Sequence, residues 1–259
     1  MRATLIGIAL LTAAFLLAPL AVMAWSSFSP GTSFTHGAGE WSLRWYRALL
    51  VREEFWRSFR LSAGIAAATT AVCLAIGIPL AFALQYGRFP GRAAVLLFVL
   101  SPLMLPGIVI GIAALGFFRG LAALGPAWEI LLIHVVIATP YVVRVFAASL
   151  AMFDLTLIDA ARTLGMTPLR AGVSVMLPVM LPPALASAVF AFLASFDNYS
   201  IALFLGNVFV KTLPVQMIEY FEQSPDPTLA AMSTFLLALS LALTLALHRL
   251  IGIDRVGAR

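Results

Sequence analysis

Charge is scarce in this chain. Only 10% of its residues are Asp, Glu, Lys or Arg, against about 25% in an ordinary soluble domain. A surface built from so few charges cannot be solvated by water. With 62% hydrophobic residues and a mean hydropathy of +1.03, the chain reads as a membrane protein. Lysine is nearly absent. Of 16 basic residues only Lys211 is not Arg, and it follows Asn-Val-Phe-Val. No phosphate-binding loop of glycines, Lys and Ser or Thr can be assembled around it, so ATP hydrolysis by such a loop is excluded. The arginines are scattered between apolar runs and form no basic stripe, which argues against nucleic acid despite the net charge of +5. A lone cysteine, Cys73, rules out an intrachain disulfide and reads as a small packed hydrophobe. Converging catalytic groups are also missing. His134 falls on a different apolar segment from Ser195 and Asp197, with no motif linking them, so an intramembrane protease or acyltransferase has no support. No repeat relates the two halves, against the usual secondary-transporter pattern. No cofactor and no metal are expected.

What is present is a series of long apolar segments. Crossing about 30 Å of hydrocarbon takes about 20 helical residues. Six segments meet that length, at about 4–25, 61–84, 93–118, 127–150, 177–205 and 229–247. The expected fold is therefore all-α, a single domain of six transmembrane helices over 1–259. The first segment, preceded by Arg2, has the flanks of a secretory signal. It is long for a signal core and is followed by five more spans, so it reads as a retained helix.

Arginine placement orients the bundle. With the N-terminus in the cytoplasm, Arg2, Arg88, Arg92, Arg144, Arg162, Arg170, Arg249, Arg255 and Arg259 lie inside. Arg44, Arg47, Arg52, Arg57, Arg60, Arg119 and Lys211 lie outside, most of them in or just after the long first loop with Glu40, Glu53 and Glu54. The shorter loops favour this orientation. Pro79, Pro102, Pro106 and Pro140 predict bends within spans. Gly107 and Gly111 form a small-xxx-small pair that predicts close helix contact.

The most informative stretch is the loop 153–176, on the cytoplasmic side. Thr156 followed by Asp159 resembles a capping box, predicting a helix that starts at Thr156 and stops at Gly165. Thr167 can cap a second helix with Pro168 in its first position. The result is a helix–turn–helix elbow whose exposed end presents Ala160, Ala161 and Leu164 beside Asp159 and Arg162. Physics alone leaves two readings open, a knob for a partner's groove or a plain amphipathic surface helix.

The run Asp159-Ala160-Ala161, three residues, Gly165, nine residues, Val175-Met-Leu177-Pro178 resembles the EAA loop of ATP-binding-cassette importer permeases. That signature reads Glu-Ala-Ala, three residues, Gly, nine residues, Ile-x-Leu-Pro, so Asp and Val are the conservative departures here. The resemblance, which runs from the second span to the C-terminus, is to the binding-protein-dependent permeases with the MetI-like fold. Ala194-Ser-Phe-Asp197-Asn198-Tyr, Thr212-Leu-Pro-Val-Gln216 and Ser224-Pro-Asp-Pro-Thr-Leu-Ala are similar to the spermidine/putrescine type. The resemblance implies a non-enzymatic permease subunit in the bacterial inner membrane. It implies that Asp159, Ala160, Ala161, Arg162, Leu164 and Gly165 form a coupling helix docking on a separate ATPase dimer. It further implies a second, related permease subunit (a heterodimer), a solute-binding protein outside, and a polyamine cargo. The same scaffold serves other cargoes, among them 2-aminoethylphosphonate, opines or amino acids, ferric iron, thiamine and sulfate.

A carboxylate inside a span costs about 2.5–3.5 kcal/mol on insertion scales. Asp197 follows Pro178 by 19 residues, about 28 Å along a helix, placing it in the outer half of the membrane. With Phe196, Asn198 and Tyr199 it would suit an organic cation through charge pairing and cation–π attraction. Alternatively Asp197 accepts hydrogen bonds from the partner subunit or caps a helix break. His134 reads as a packed histidine, and Glu129 and Arg144 as snorkelling anchors at the ends of their span. Glu219, Glu222 and Asp226 mark an outer segment, either a short helix touching the binding protein or a solvated loop.

Overall fold

The computed structural model describes residues 2–32, 41–120, 124–224 and 226–251; Glu40, Pro225, Arg255 and Arg259 lie outside the described residues. The elements in chain order are α1 (Arg2–Ser26), α2 (Arg44–Val51), α3 (Glu53–Tyr86), α4 (Arg92–Leu100) with a 3-10 turn (Ser101–Met104), α5 (Gly107–Arg119), α6 (Pro126–Ala151), α7 (Thr156–Thr163), α8 (Pro168–Ala171) with a π turn (Gly172–Met176), α9 (Leu177–Phe196), α10 (Ser200–Leu205), α11 (Leu213–Gln223) and α12 (Thr228–Ile251). No strand occurs among the described residues. Five helical stretches are long and apolar enough to cross a membrane, and a bent pair makes a sixth if it crosses as one broken span.

That bent pair corrects the expectation of a continuous third span at 93–118. Arg92–Met104 and Gly107–Arg119 meet at 103°. Two prolines cause the break. Pro102 opens the 3-10 turn. Pro106 forces its predecessor out of the helical region, leaving Leu105 at φ −96°, ψ 137°. Pro106 itself then supplies the first acceptor of α5, bonding Val109 N–H at 2.9 Å.

The fifth span, expected to run unbroken over 177–205, also breaks. α9 ends at Phe196, Asp197 is its C-terminal cap residue, and α10 starts at Ser200. At its other end the expected second helix of the elbow is only four residues long and passes through the π turn into α9. A single helical stretch from Pro168 to Phe196 results. The π turn lies directly before Pro178, which has no N–H to continue an α ladder.

The chain divides into two compact units, 1–57 with 216–259, and 58–215. In the first, α12 packs on α1 and α2, and Phe55 and Trp56 meet Phe235 edge-on, with centroids 6.1 and 5.6 Å apart. In the second, α6 packs along α9, and α5 along α10. Ile65, Ala114, Phe118, Ile130, Ile201, Ala202 and Leu205 form one core cluster there. Ala81, Leu84, Val143, Phe146, Leu150, Phe153 and Met180 form another. Buried Cys73 donates to Val135 O at 3.5 Å, in keeping with a packed residue.

The close contact predicted for Gly107 and Gly111 is made with α10. A Cβ on Gly107 would sit 3.2 Å from Ser200 Cβ, and one on Gly111 would sit 2.7 Å from Phe204 Cδ2 and 2.9 Å from Ser200 O. Gly116 in the same helix has nothing within 4 Å of a Cβ. Gly111→Ala should therefore destabilise the protein by about 1–3 kcal/mol through overpacking, while Gly116→Ala should be neutral or slightly stabilising. Thermal unfolding of the purified complexes in one detergent checks this, and equal midpoints for the two variants would contradict the close α5–α10 packing.

Candidate functional site

Two regions carry the residues that the sequence singled out: the elbow between α6 and α9, and the paired breaks at 101–106 and 197–199.

At the elbow, α7 ends as the sequence anticipates. Gly165 adopts φ +88°. Its N–H bonds Arg162 O at 3.0 Å, and Met166 N–H reaches back to Ala161 O at 3.1 Å. This is a Schellman closure, which needs the left-handed residue that glycine supplies without strain. Thr167 caps α8 by accepting Arg170 N–H at 3.4 Å, with Pro168 in the first turn. The start of α7 differs from expectation. Thr156 and Asp159 form no capping box. Leu155 is the cap residue and has no side-chain bond. Asp154 does the work instead, its carboxylate accepting Thr156 N–H at 2.9 Å. The Thr156 hydroxyl and then its backbone N–H hold the Asp154 carboxyl below the usual carboxylate range. An Asp two residues upstream of a helix start was the sequence signal for this turn.

A second correction concerns the exposed end. Ala160, Asp159 and Arg162 face outward, and Leu164 is 83% exposed, but Ala161 is 5% exposed and packs inward. Ala161 is turned about 100° from Ala160 on the helix, which brings it onto the covered side. Asp159, Arg162, Thr163, Gly165, Met166 and Pro168 line an open hollow of about 530 Å³. Leu157 and Leu169 are exposed near it in sequence. An isolated soluble helix pair would bury such residues; here they are available to a partner.

The second region surrounds a cavity of about 190 Å³ lined by Pro102, Leu103, Leu105, Gly107, Ile110, Ile137, Tyr141, Ala194, Asn198 and Ile201. Both helix breaks contribute to it. Its polar side chains are Tyr141 and Asn198. Asn198 caps α10 through its Oδ1, which accepts Ile201 N–H at 3.0 Å. The helix break anticipated as one reading of Asp197 therefore exists, but Asn198 rather than Asp197 caps it. Asp197 is exposed, beside the cavity in sequence and outside its lining. Phe196 is held in an aromatic group, stacked on Phe192 with centroids 5.5 Å apart and edge-on to Phe59 at 5.9 Å. Tyr199 is half-buried at the start of α10. The four residues expected together on a substrate path are thus divided among an open carboxylate (Asp197), a cavity wall (Asn198), an aromatic group (Phe196) and the half-buried start of α10 (Tyr199).

One link was not legible in the sequence. His134 in α6 and Ser195 in α9 are both buried and share a hydrogen bond of 2.8 Å between Nδ1 and Oγ. It ties α6 to the last turn of α9, two residues before the break. Sixty-one residues separate the partners, and only the packing of α6 along α9 brings them together. His134 is the packed histidine expected, with a serine as its partner.

At the acidic segment after the fifth span the helical reading holds, since α11 covers Leu213–Gln223. Tyr220 donates its phenol to Asp226 Oδ2 at 2.7 Å, and the Arg52 guanidinium lies 4.4 Å over its ring.

Known proteins resemble this chain in sequence and in fold. The putrescine transport system permease protein PotI of Escherichia coli K12 is 33% identical over 239 residues, covering 90% of this chain and 85% of that protein. The spermidine/putrescine transport system permease protein PotC of the same organism is 28% identical over 242 residues, covering 93% and 91%. Among solved structures, a bacterial ABC transporter involved in the import of the acidic polysaccharide alginate superposes with a TM-score of 0.73 at 14% identity, covering 96% of this chain and 94% of that one. The fold is that of MetI-like permeases. Residues 73–253 match the family described as binding-protein-dependent transport system inner membrane component. The chain belongs to that family, and is a permease subunit of an ABC importer rather than an enzyme.

Proposed function

We propose that this chain forms half of a polyamine path through the inner membrane, with the elbow docked on a cytoplasmic ATPase. The observation that carries the cargo is the similarity to PotI over 90% of the chain. The exposed Asp197 carboxylate, at a break beside a cavity walled by Asn198 and Tyr141, is chemistry consistent with it. A polyamine is a flexible chain of ammonium groups. A carboxylate neutralises one of them, and amide and phenol oxygens accept hydrogen bonds from the next. Importers of this family work with an ATPase and a substrate-binding protein. The absence of any phosphate-binding loop around Lys211 puts hydrolysis on that separate subunit.

In this reading Asp159, Ala160, Arg162 and Leu164 contact the ATPase, while Ala161 and Gly165 shape the elbow that presents them. The continuous helical stretch Pro168–Phe196 joins that contact to the break at Asp197, so a displacement at one end reaches the other without an intervening loop. The elbow must then be cytoplasmic, which puts the N-terminus on the same side in a six-span arrangement, in agreement with the arginines of the shorter loops. A second, related permease chain completes the path. The acidic outer helix α11, with exposed Phe221 and Glu222, suits contact with the binding protein.

ATP-driven uptake of labelled putrescine and spermidine tests the cargo, in proteoliposomes holding this chain with its ATPase, second permease and binding protein. Asp197→Asn should raise the uptake KM roughly 10- to 100-fold, the equivalent of about 1.5–3 kcal/mol for a charge-assisted hydrogen bond. Saturable uptake of 2-aminoethylphosphonate or an amino acid, and none of either polyamine, would remove the polyamine reading and leave the importer intact. For the coupling role, Leu164→Asp should cut uptake at least tenfold while ATP hydrolysis by the free ATPase is unchanged. Full uptake in that variant would place the ATPase contact elsewhere.

A further inference from the structure

The long first loop concentrates arginine where membrane topology usually avoids it, and the structure places two of these residues on α2, with the Arg44 guanidinium 5.0 Å over the Trp45 ring. Trp25 closes α1, a helix none of whose apolar window is buried. Trp41 packs edge-on against Trp25 with centroids 4.5 Å apart, and Phe28 packs on Trp41 and on Tyr46 at 5.4 and 5.3 Å. Trp45 donates its indole N–H to Ser29 O at 2.8 Å, Ser27 and Tyr46 share a hydrogen bond of 2.7 Å, and Ser42 N–H bonds Phe28 O at 3.0 Å. These bonds hold α2 at the level where α1 ends. Since α1 is a span, that level is the boundary between hydrocarbon and headgroups, where Trp and Tyr concentrate.

α2 is two-faced in an unusual way. Trp45 and Leu49 are buried. The outward side carries Arg44 and Arg47 together with Leu43, Leu50 and Val51, and Trp41 just before the helix is 62% exposed. At 100° per residue Leu43 and Leu50 fall on one edge of this outward side, Arg44 and Val51 on the opposite edge, and Arg47 between. A face turned to water would not hold three aliphatic side chains, and one turned to hydrocarbon would not hold two guanidinium groups. Both are accommodated where acyl chains meet phosphates: the leucines dip inward, and planar, always-charged guanidinium groups bind phosphate oxygens in a fork.

We infer that the outward face of α2, through Arg44 and Arg47, is a binding surface for the headgroups of anionic phospholipids in the leaflet at the Trp25 end of α1. Charge complementarity and continuity with the lipid-facing α1 select this occupant over an acidic protein surface. The site is independent of the cargo.

Two measurements on the assembled complex test it. In a Cys73→Ala background, a nitroxide on Leu50→Cys should be more accessible to oxygen than to an aqueous nickel chelate. An aqueous label, or one shielded from both probes by a protein partner, would overturn the proposal. In liposomes of phosphatidylcholine with brominated phosphatidylglycerol, the lipid binding constant read from tryptophan quenching should exceed that for brominated phosphatidylcholine on the order of thirtyfold, the effect of ~1 kcal/mol for each of the two arginines at an anionic surface. Arg44→Gln/Arg47→Gln should bring the two lipids to parity, and Arg44→Lys/Arg47→Lys should keep the preference. No preference in the native complex would overturn the proposal. So would a double Gln variant that loses affinity for the binding protein with its lipid preference intact.

Discussion

In hydrocarbon a peptide N–H or C=O without a partner costs several kcal/mol, so a spanning chain stays helical wherever it meets lipid and can interrupt its helices only where other groups take over the orphaned bonds. The structure depends on how the chain meets this demand at its two breaks. At 101–106 prolines remove the donors that would have been orphaned, and Pro106 O accepts the first bonds of α5. At 197–199 the Asn198 side chain stands in for the missing turn by bonding Ile201 N–H. The two breaks then share one cavity, since α5 and α10 lock together through Gly107 and Gly111. Small residues, prolines and one asparagine thus produce a recess with two polar side chains in an otherwise apolar bundle.

The same economy governs the elbow. α7 is short and stands outside the apolar spans, so its ends need explicit capping. Asp154 supplies the first bond and the left-handed Gly165 closes the last turn. With the backbone satisfied, side chains such as Leu164 remain exposed for a partner. The π turn at Gly172–Met176 carries the elbow into α9 without a loop. In the proposed mechanism this continuity makes the ATPase contact and the break at Asp197 opposite ends of one rod.

Most of the fold was legible because lipid imposes a length rule. Apolar runs of about 20 residues can be counted, and arginines mark their ends. The capping at Gly165 and Thr167 was equally legible, because such rules act within one turn. Other features were not, and three of them show why. The third-span break was masked by unbroken hydrophobicity, although Pro102 and Pro106 announced some bend. The cap of α7 moved from Thr156 to Asp154, since two polar side chains two residues apart could each serve it. Ala161 turned inward, because which strip of an amphipathic helix is covered depends on neighbours in space.

The sequence by itself determined that this chain lives in a membrane, that it carries no ATP-hydrolysing loop, and that a closed elbow of fixed spacing precedes its fifth span. Each follows from composition or from contacts within a few residues. Tertiary structure alone decided the union of His134 with Ser195, the seating of α10 on the glycines of α5, and the division of Phe196, Asp197, Asn198 and Tyr199 among different surroundings. Those outcomes depend on how helices distant in sequence pack, and hydrophobic patterning leaves their register open because lipid and protein neighbours are equally apolar.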